Sequence, residues 1–236
     1  MTNESQPDSG SEALHAVVAR ALEFVRSGMT VGLGSGRAAS AFIRGLADRM
    51  QAGLGGVRGV PTSGPTARLA RDLGIPLVDL DEGTVDFTVD GADEVDPKLN
   101  LIKGYGGALV RERIVAAASR RQVILVGPEK LVPVLGSRGR LPVEVIPFAF
   151  PLCRTRLEAL ACKPTLRMLE GQPFVSDNGN WILDCAIVPT SEAVALDAKI
   201  RAIPGVVDTG FFLGTADAVL VPEEGMVRVL QRDRLR

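Results

Sequence analysis

The chain has 236 residues, 46% of them hydrophobic, and a formal net charge of −1. That length allows one large or two modest domains with a substantial core, while the balanced charge gives no electrostatic footprint for nucleic acid and no apolar run approaches the roughly 18 residues of a membrane span. The single histidine, His15, excludes a multi-histidine metal site and leaves proton transfer to carboxylates, lysine or tyrosine.

The first eleven residues, "MTNESQPDSGS", lack a basic region and an apolar segment, so they read as a polar tail rather than a signal peptide. "EALHAVVARALEFVRSG" follows as an amphipathic helix with His15 as a surface or packing residue. From residue 30 to about 135, short apolar runs alternate with helical stretches. "TVGLG" (30–34) predicts a strand and "AASAFIRGLADRM" a helix; "VRGVPTS" (57–63) predicts a strand and "PTARLARDLG" a helix stopped by Gly74. "IPLVDL" (75–80), "VDFTV" (85–89) and "QVILVG" (122–127) predict further strands, with the helix "ALVRERIVAAASR" before the last. Strands alternating with helices imply right-handed βαβ units and a doubly wound parallel sheet of the Rossmann-like α/β class.

After "VLGSRGRLP" the rhythm changes to the order βαββαβ, from "VEVIPFA" through "WILDCAIV" to "VVDTGFFL", the split βαβ of a ferredoxin-like α+β module. The expected division is therefore a Rossmann-like catalytic domain over 1–135 and 209–236, with a smaller α+β domain over 136–208 inserted in it. Asn178-Gly179 is hairpin-turn chemistry. The tail "ADAVLVPEEGMVRVLQ" predicts one more strand and a short helix returning to the first domain. Cys153, Cys162 and Cys185 show no CxxC spacing and read as small buried hydrophobes kept reduced, as in a cytosol.

Four junctions share one property: each follows the carboxyl end of a predicted strand, the edge at which open parallel sheets bind ligands. Gly32, Gly34 and Gly36 in "VGLGSGRAASAF" place free N–H groups and a helix N-terminus where an anion can bind. The third glycine of a dinucleotide fingerprint would fall on Arg37, and the next strand ends in "VPTS" without an acid for a ribose hydroxyl, which disfavours NAD. Thr62, Ser63 and Thr66 at the second junction suit helix capping. The third, "FTVDGADEVDPKLNLIKGYGG" (87–107), gathers Asp90, Asp93, Glu94 and Asp96 and adds Lys103 within glycines. Asp90 and Asp93 flank Gly91-Ala92, a small turn able to present both carboxylates to one pocket, whereas Glu94 and Asp96 read as solvated and Asp96-Pro97 as turn chemistry. Glu112 follows on the next helix, and Lys130 closes the fourth junction.

These residues resemble the ribose-5-phosphate isomerase family, type A. "VDGADEVDPKLNLIKGYGGALVRERI" is similar to its core signature, and "GLGSGRAASAFI", "PTSGPTARLARDLGIPLVDLDE", "LPVEVIPFA", "DNGNWILD" and "IPGVV" match in order. The resemblance implies interconversion of D-ribose 5-phosphate and D-ribulose 5-phosphate in the non-oxidative pentose phosphate pathway, with no metal or other cofactor, by a cytoplasmic homodimer or homotetramer. It makes Glu112 the base that moves a proton between C2 and C1, Asp90 an aid to ring opening and hydroxyl proton transfer, and Asp93 and Lys103 the holders of sugar oxygens and of enediolate charge. Ser35, Gly36, Arg37, Ala38, Asp90, Gly91, Ala92, Asp93, Lys103, Gly104, Tyr105, Gly106 and Lys130 would line the substrate site. The chain departs from the family at Arg37 and Ala38, where hydroxyl residues are usual, and at Tyr105, where glycine is frequent. The competing readings are another sugar-phosphate isomerase or a deaminase on a related fold, and a sugar-phosphate-sensing module; the latter is disfavoured by the joint presence of Glu112, Asp90 and Lys103.

Overall fold

The structure is a computed structural model that describes residues 9–80 and 83–232. Most of the expected N-terminal tail lies outside these residues, and helix α1 (Ser9–Leu22) starts three residues earlier than the sequence pattern suggests. The chain continues through β1 (Thr30–Leu33), α2 (Gly36–Gln51), β2 (Arg58–Pro61), α3 (Gly64–Asp72) and β3 (Phe87–Gly91). Two short strands, β4 (Glu94–Val95) and β5 (Leu101–Ile102), precede α4 (Leu109–Ala118) and β6 (Gln122–Leu125). Next come β7 (Leu141–Val145), α5 (Phe150–Ala159), β8 (Lys163–Leu166), β9 (Met168–Leu169), β10 (Gln172–Pro173), β11 (Trp181–Ala186), α6 (Ala193–Arg201) and β12 (Val206–Thr209). The chain closes with β13 (Phe211–Phe212), β14 (Ala218–Glu223) and β15 (Met226–Gln231).

The main sheet has the order β15-β14-β6-β3-β1-β2, parallel throughout except for the antiparallel β14–β15 pair. Strands β1 and β6 are buried at every position, as strands covered on both faces must be. Helix α2 supplies one cover: Ala39, Phe42, Ile43, Leu46 and Ala47 repeat at helical spacing and pack with α1 on that face. Helix α4 lies against the other face, over β3. Ser63 caps α3, its hydroxyl accepting the Thr66 N–H, so the capping expected there is what the structure shows.

The second sheet runs β12-β7-β11-β8 with every pair antiparallel. Counting its own strands in chain order, that is 4-1-3-2 with α5 and α6 as the crossovers, the ferredoxin-like arrangement expected. Leu141, Val143 and Val145 point into a core shared with Cys153, Leu157 and Ile200. The opposite face carries Glu144 and Ile182, and α4 packs against β12. All three cysteines are buried and free.

Several expectations need correction. Residues 75–80 form no strand in the described chain beyond a bridge between Leu77 and Gly59, because Pro76 cannot donate to a ladder. The C-terminal segment is a hairpin rather than a strand and a helix; Gly225, at φ +71°, makes the turn and β15 keeps the two-residue alternation of an edge strand. The expected strand 206–213 breaks at Gly210 into β12 and β13, which belong to different sheets. A Cβ on Gly210 would lie 2.5 Å from the Lys103 carbonyl oxygen, so only glycine allows the crossing. Strand β13 pairs with β5, and β5 with β4, in a small three-stranded sheet built from the acidic stretch itself.

Glu94 is not solvated. It is fully buried, and its two carboxylate oxygens accept the N–H groups of Gly136 and Arg138, each at 2.6 Å. Asp96 does serve the turn, accepting the N–H groups of Lys98 and Asn100 at 2.8 Å. Glu94→Gln would set an amide NH₂ against a peptide N–H and lose one charged hydrogen bond, a cost of about 2 kcal/mol. For a chain of this size that lowers Tm by roughly 4–8 °C, which a thermal melt monitored by circular dichroism checks; an unchanged Tm would contradict the capping role.

Candidate active site

The order β3-β1-β2 reverses direction between β1 and β3, and at such a switch point the carboxyl ends of the strands diverge to leave a crevice. The turn after β1 passes very close to the end of β3: the Gly34 N–H donates to the Val89 carbonyl at 2.9 Å, and a Cβ on Gly34 would meet the Asp90 carboxylate at 2.3 Å. The absence of a side chain lets the loop close over Asp90. Asp90 Oδ1 then accepts the N–H groups of Ser35 at 3.1 Å and Gly91 at 2.8 Å. Ser35 Oγ turns away into a cluster with Thr62 Oγ1 at 2.8 Å and Ser63 Oγ at 3.0 Å, and Thr66 Oγ1 donates to the Gly34 carbonyl at 3.0 Å. The hydroxyls after β2 thus brace the glycine loop from behind.

The other Asp90 oxygen, Oδ2, lies 2.9 Å from Lys103 Nζ, and Glu112 Oε2 lies 3.3 Å from the same nitrogen. The ammonium also donates to the Gly91 carbonyl at 2.6 Å. Among the described residues, neither carboxylate oxygen has a hydrogen-bond partner of good geometry, which leaves the ammonium as their compensation. All three side chains are withdrawn from solvent: Asp90 is 0% exposed, Lys103 3% and Glu112 4%. Burial alone would lower the Lys103 pKa, but the Asp90 and Glu112 charges outweigh it and hold the ammonium above the ordinary lysine value. Burial pushes Glu112 up to about 8, against the pull of Lys103, and the Asp90 charge adds to the rise. A carboxyl poised near neutrality beside a permanent cation can exchange a proton with a carbon acid while the cation balances developing negative charge.

Lys103 and Glu112 line a cavity of about 590 Å³. Ser35, Gly36, Arg37 and Ala38 line one side of it, and Gly91, Ala92 and Asp93 another. Gly104, Gly106 and Lys130 line it as well. Asp93 accepts the Tyr105 N–H at 3.0 Å; burial raises its pKa, with that hydrogen bond and Lys103 opposing. Arg37 stands exposed in the first turn of α2, whose N-terminus has no side-chain cap among the described residues, so the first-turn N–H groups face the cavity mouth together with a guanidinium.

Two expected residues are placed differently. Asp90 contributes no described surface to the cavity, since the glycine loop and Lys103 cover both of its oxygens. Tyr105 does not line the cavity either: its hydroxyl donates to the Arg140 carbonyl at 3.2 Å and the Arg140 guanidinium lies 4.1 Å from its ring centroid, drawing the side chain toward the second sheet. The sequence reading also missed part of the wall. Ala13, Leu14 and Val17 of α1 also line the cavity, and Pro222 of β14 contributes from the far end of the chain. The apolar stripe of α1 was visible in the sequence, but nothing local distinguishes a stripe facing a core from one facing a ligand.

Residues 58–225 match the family described as Ribose 5-phosphate isomerase A (phosphoriboisomerase A). Ribose-5-phosphate isomerase A of Roseiflexus castenholzii (strain DSM 13941 / HLO8) is 53% identical over 214 residues, covering 89% of this chain and 92% of the relative. The solved structure of ribose 5-phosphate isomerase A from Methanocaldococcus jannaschii is similar at 38% identity with a TM-score of 0.90, covering 94% of this chain and 100% of that one. A D-ribose-5-phosphate isomerase solved in complex with phospho-erythronic acid is 36% identical with a TM-score of 0.91, covering 94% of this chain and 99% of that one.

Proposed function

Because the chain belongs to the ribose 5-phosphate isomerase A family, we propose that this cavity interconverts ribose 5-phosphate and ribulose 5-phosphate with Glu112 as the base. The observation that carries the residue assignment is the buried Glu112 carboxyl 3.3 Å from the Lys103 ammonium, both residues lining the cavity. Ionised Glu112 takes the proton from C2 of the open-chain aldose. The electron pair passes to O1, and the enediolate so formed lies against Lys103, whose charge is fixed before the reaction starts. Glu112 returns the proton to C1, the O2 hydroxyl proton is transferred to O1, and the ketose carbonyl forms at C2. Asp93, which lines the cavity, serves the hydroxyl protons and ring opening. Asp90 acts through Lys103, holding the ammonium in place, rather than touching the sugar. The related enzyme that holds phospho-erythronic acid supports this reading, since the carboxylate of that acid resembles the two oxygens of an enediolate.

The phosphate belongs at the mouth, on the α2 N-terminus, between Arg37 and Lys130, which both line the cavity. This distance from the reacting carbons separates binding from chemistry. A sugar-phosphate-sensing role is not favoured, because binding alone has no need of a buried base paired with an ammonium. Exposed apolar surface and the buried thiols also support a cytoplasmic homodimer or homotetramer. Phe148 is 95% exposed beside the half-exposed Ile146, apolar surface that a second copy would cover. The three buried free thiols fit a reducing compartment, which cell fractionation checks. Sedimentation should give a dimer or tetramer, and a monomer at micromolar concentration would overturn the assembly.

Glu112→Gln preserves shape but cannot accept the carbon-bound proton, so kcat should fall at least ~10²-fold with KM little changed. In the unaltered enzyme, kcat/KM should decline as pH falls through the raised Glu112 pKa near 8, because protonation removes the base. Near-normal turnover of the variant on ribose 5-phosphate would reject Glu112. For Arg37→Ala, the phosphate contact is equally strong in ground and transition states, so the loss should appear in KM, about tenfold, with kcat nearly constant. Steady-state kinetics that left KM unmoved would show that the backbone N–H groups hold the phosphate without the guanidinium.

A further inference from the structure

Helix α4 carries Glu112 between two arginines, and both reach away from the cavity to the second sheet. Arg111 binds a turn at the surface, donating to Asn178 Oδ1 at 3.0 Å and to the Asp177 carbonyl at 2.8 Å. Arg113 binds the segment Asp208–Phe212. It pairs with the Asp208 carboxylate, donates to the carbonyls of Thr209 at 2.8 Å and Phe211 at 2.6 Å, and lays its guanidinium 4.2 Å from the Phe212 ring centroid.

The same segment seats Lys103 from its other side. The Lys103 N–H donates to the Gly210 carbonyl at 2.9 Å, and Phe211 and Phe212 pair with Ile102 and Leu101. The Phe212 ring centroid lies 5.6 Å from Lys103 Nζ, so the ring meets the lysine and the arginine together. Gly210 leaves no slack, as its bare Cα is all that fits against the Lys103 carbonyl. Asp208–Phe212 is thus a splint between the strand that leads into the lysine and the helix that carries the base.

On the reading of Glu112 and Lys103 given above, we propose that Arg113 is a positioning residue, which clamps α4 to the segment that seats Lys103 and so sets the gap between base and ammonium. Arg113 itself contributes no described surface to the cavity. Its leverage comes from spacing: it is the next residue to Glu112 on a helix of 10 residues, so any slip at the clamp is passed to the base. Proton transfer is sensitive to such slips, and a displacement of about 1 Å can cost on the order of 10²-fold.

The test compares Arg113→Ala with Arg111→Ala in steady-state kinetics on ribose 5-phosphate across pH, alongside thermal melts. The charged groups that face Glu112 are Lys103 just after β5, Asp90 on β3 and Asp93 after it. When α4 drifts from the ammonium, Glu112 loses the one charge that lowers its pKa, while burial and both carboxylates still raise it. Arg113→Ala should therefore lower kcat about tenfold, leave KM within about twofold, and move the ascending limb of kcat/KM to higher pH. Arg111→Ala, which loosens the surface turn alone, should leave the limb and kcat in place. If Arg113→Ala does not fold, Arg113→Lys, which keeps the charge but cannot bond both carbonyls, should show the same shift in smaller measure. A lower Tm with kcat and the limb at their original values, per folded protein, would mean that Arg113 only stabilises the fold, and the proposal fails. An unaltered enzyme inactive on ribose 5-phosphate would instead reject the functional reading itself.

Discussion

One buried ammonium, shared between two buried carboxylates, governs the layout of the molecule around it. Taking the Lys103 charge out of water is costly unless several acceptors surround it closely, and two carboxylates in one pocket repel unless a cation lies between them. Each neighbouring element answers one of these demands. The glycine loop after β1 lets two N–H groups reach Asp90, the Gly91 carbonyl accepts an ammonium proton, and the Phe212 ring offers its face. With charges compensated this way, the ammonium cannot easily give up its proton. The carboxyl of Glu112, raised to about 8, can change protonation state beside it near neutral pH.

Much of this was legible in the linear sequence. A strand that ends in Asp90, small residues that follow, and a lysine within glycines already spell a polar pocket at a sheet edge. Helix capping by Ser63 and the turn role of Asp96 are likewise local chemistry, and both stand in the structure. Glu94 was misread because its partners, the N–H groups of Gly136 and Arg138, lie more than forty positions along the chain. A carboxylate in a loop looks solvated until the loop that covers it is known.

The same reason accounts for the other differences. Strands β4, β5 and β13 contain two residues each, too few for any periodicity, and they exist because distant segments pair there. The family resemblance implied that Tyr105 lines the substrate site, yet Arg140 holds its ring elsewhere. The glycine at 210 carried no visible meaning until the Lys103 carbonyl was found against it. Local pattern locates the chemistry, whereas long-range contact decides which atoms of it are presented.

The position of the second sheet in the chain has a consequence for the order of folding. Strands β6 and β14 are neighbours in the main sheet, with Ile124 paired to Val219, but the entire second sheet is threaded between them. Closing so long an excursion is entropically costly before its contacts form, so the parallel pair should join late. Lys103, Asp90 and Glu112 leave the ribosome early, while Phe211, Phe212 and Pro222, which seat the lysine or wall the cavity, come about a hundred residues later. A nascent chain can therefore display every ionisable group of the trio and still hold no site. During synthesis the three charges must wait, hydrated and apart, for the last strands to enclose them.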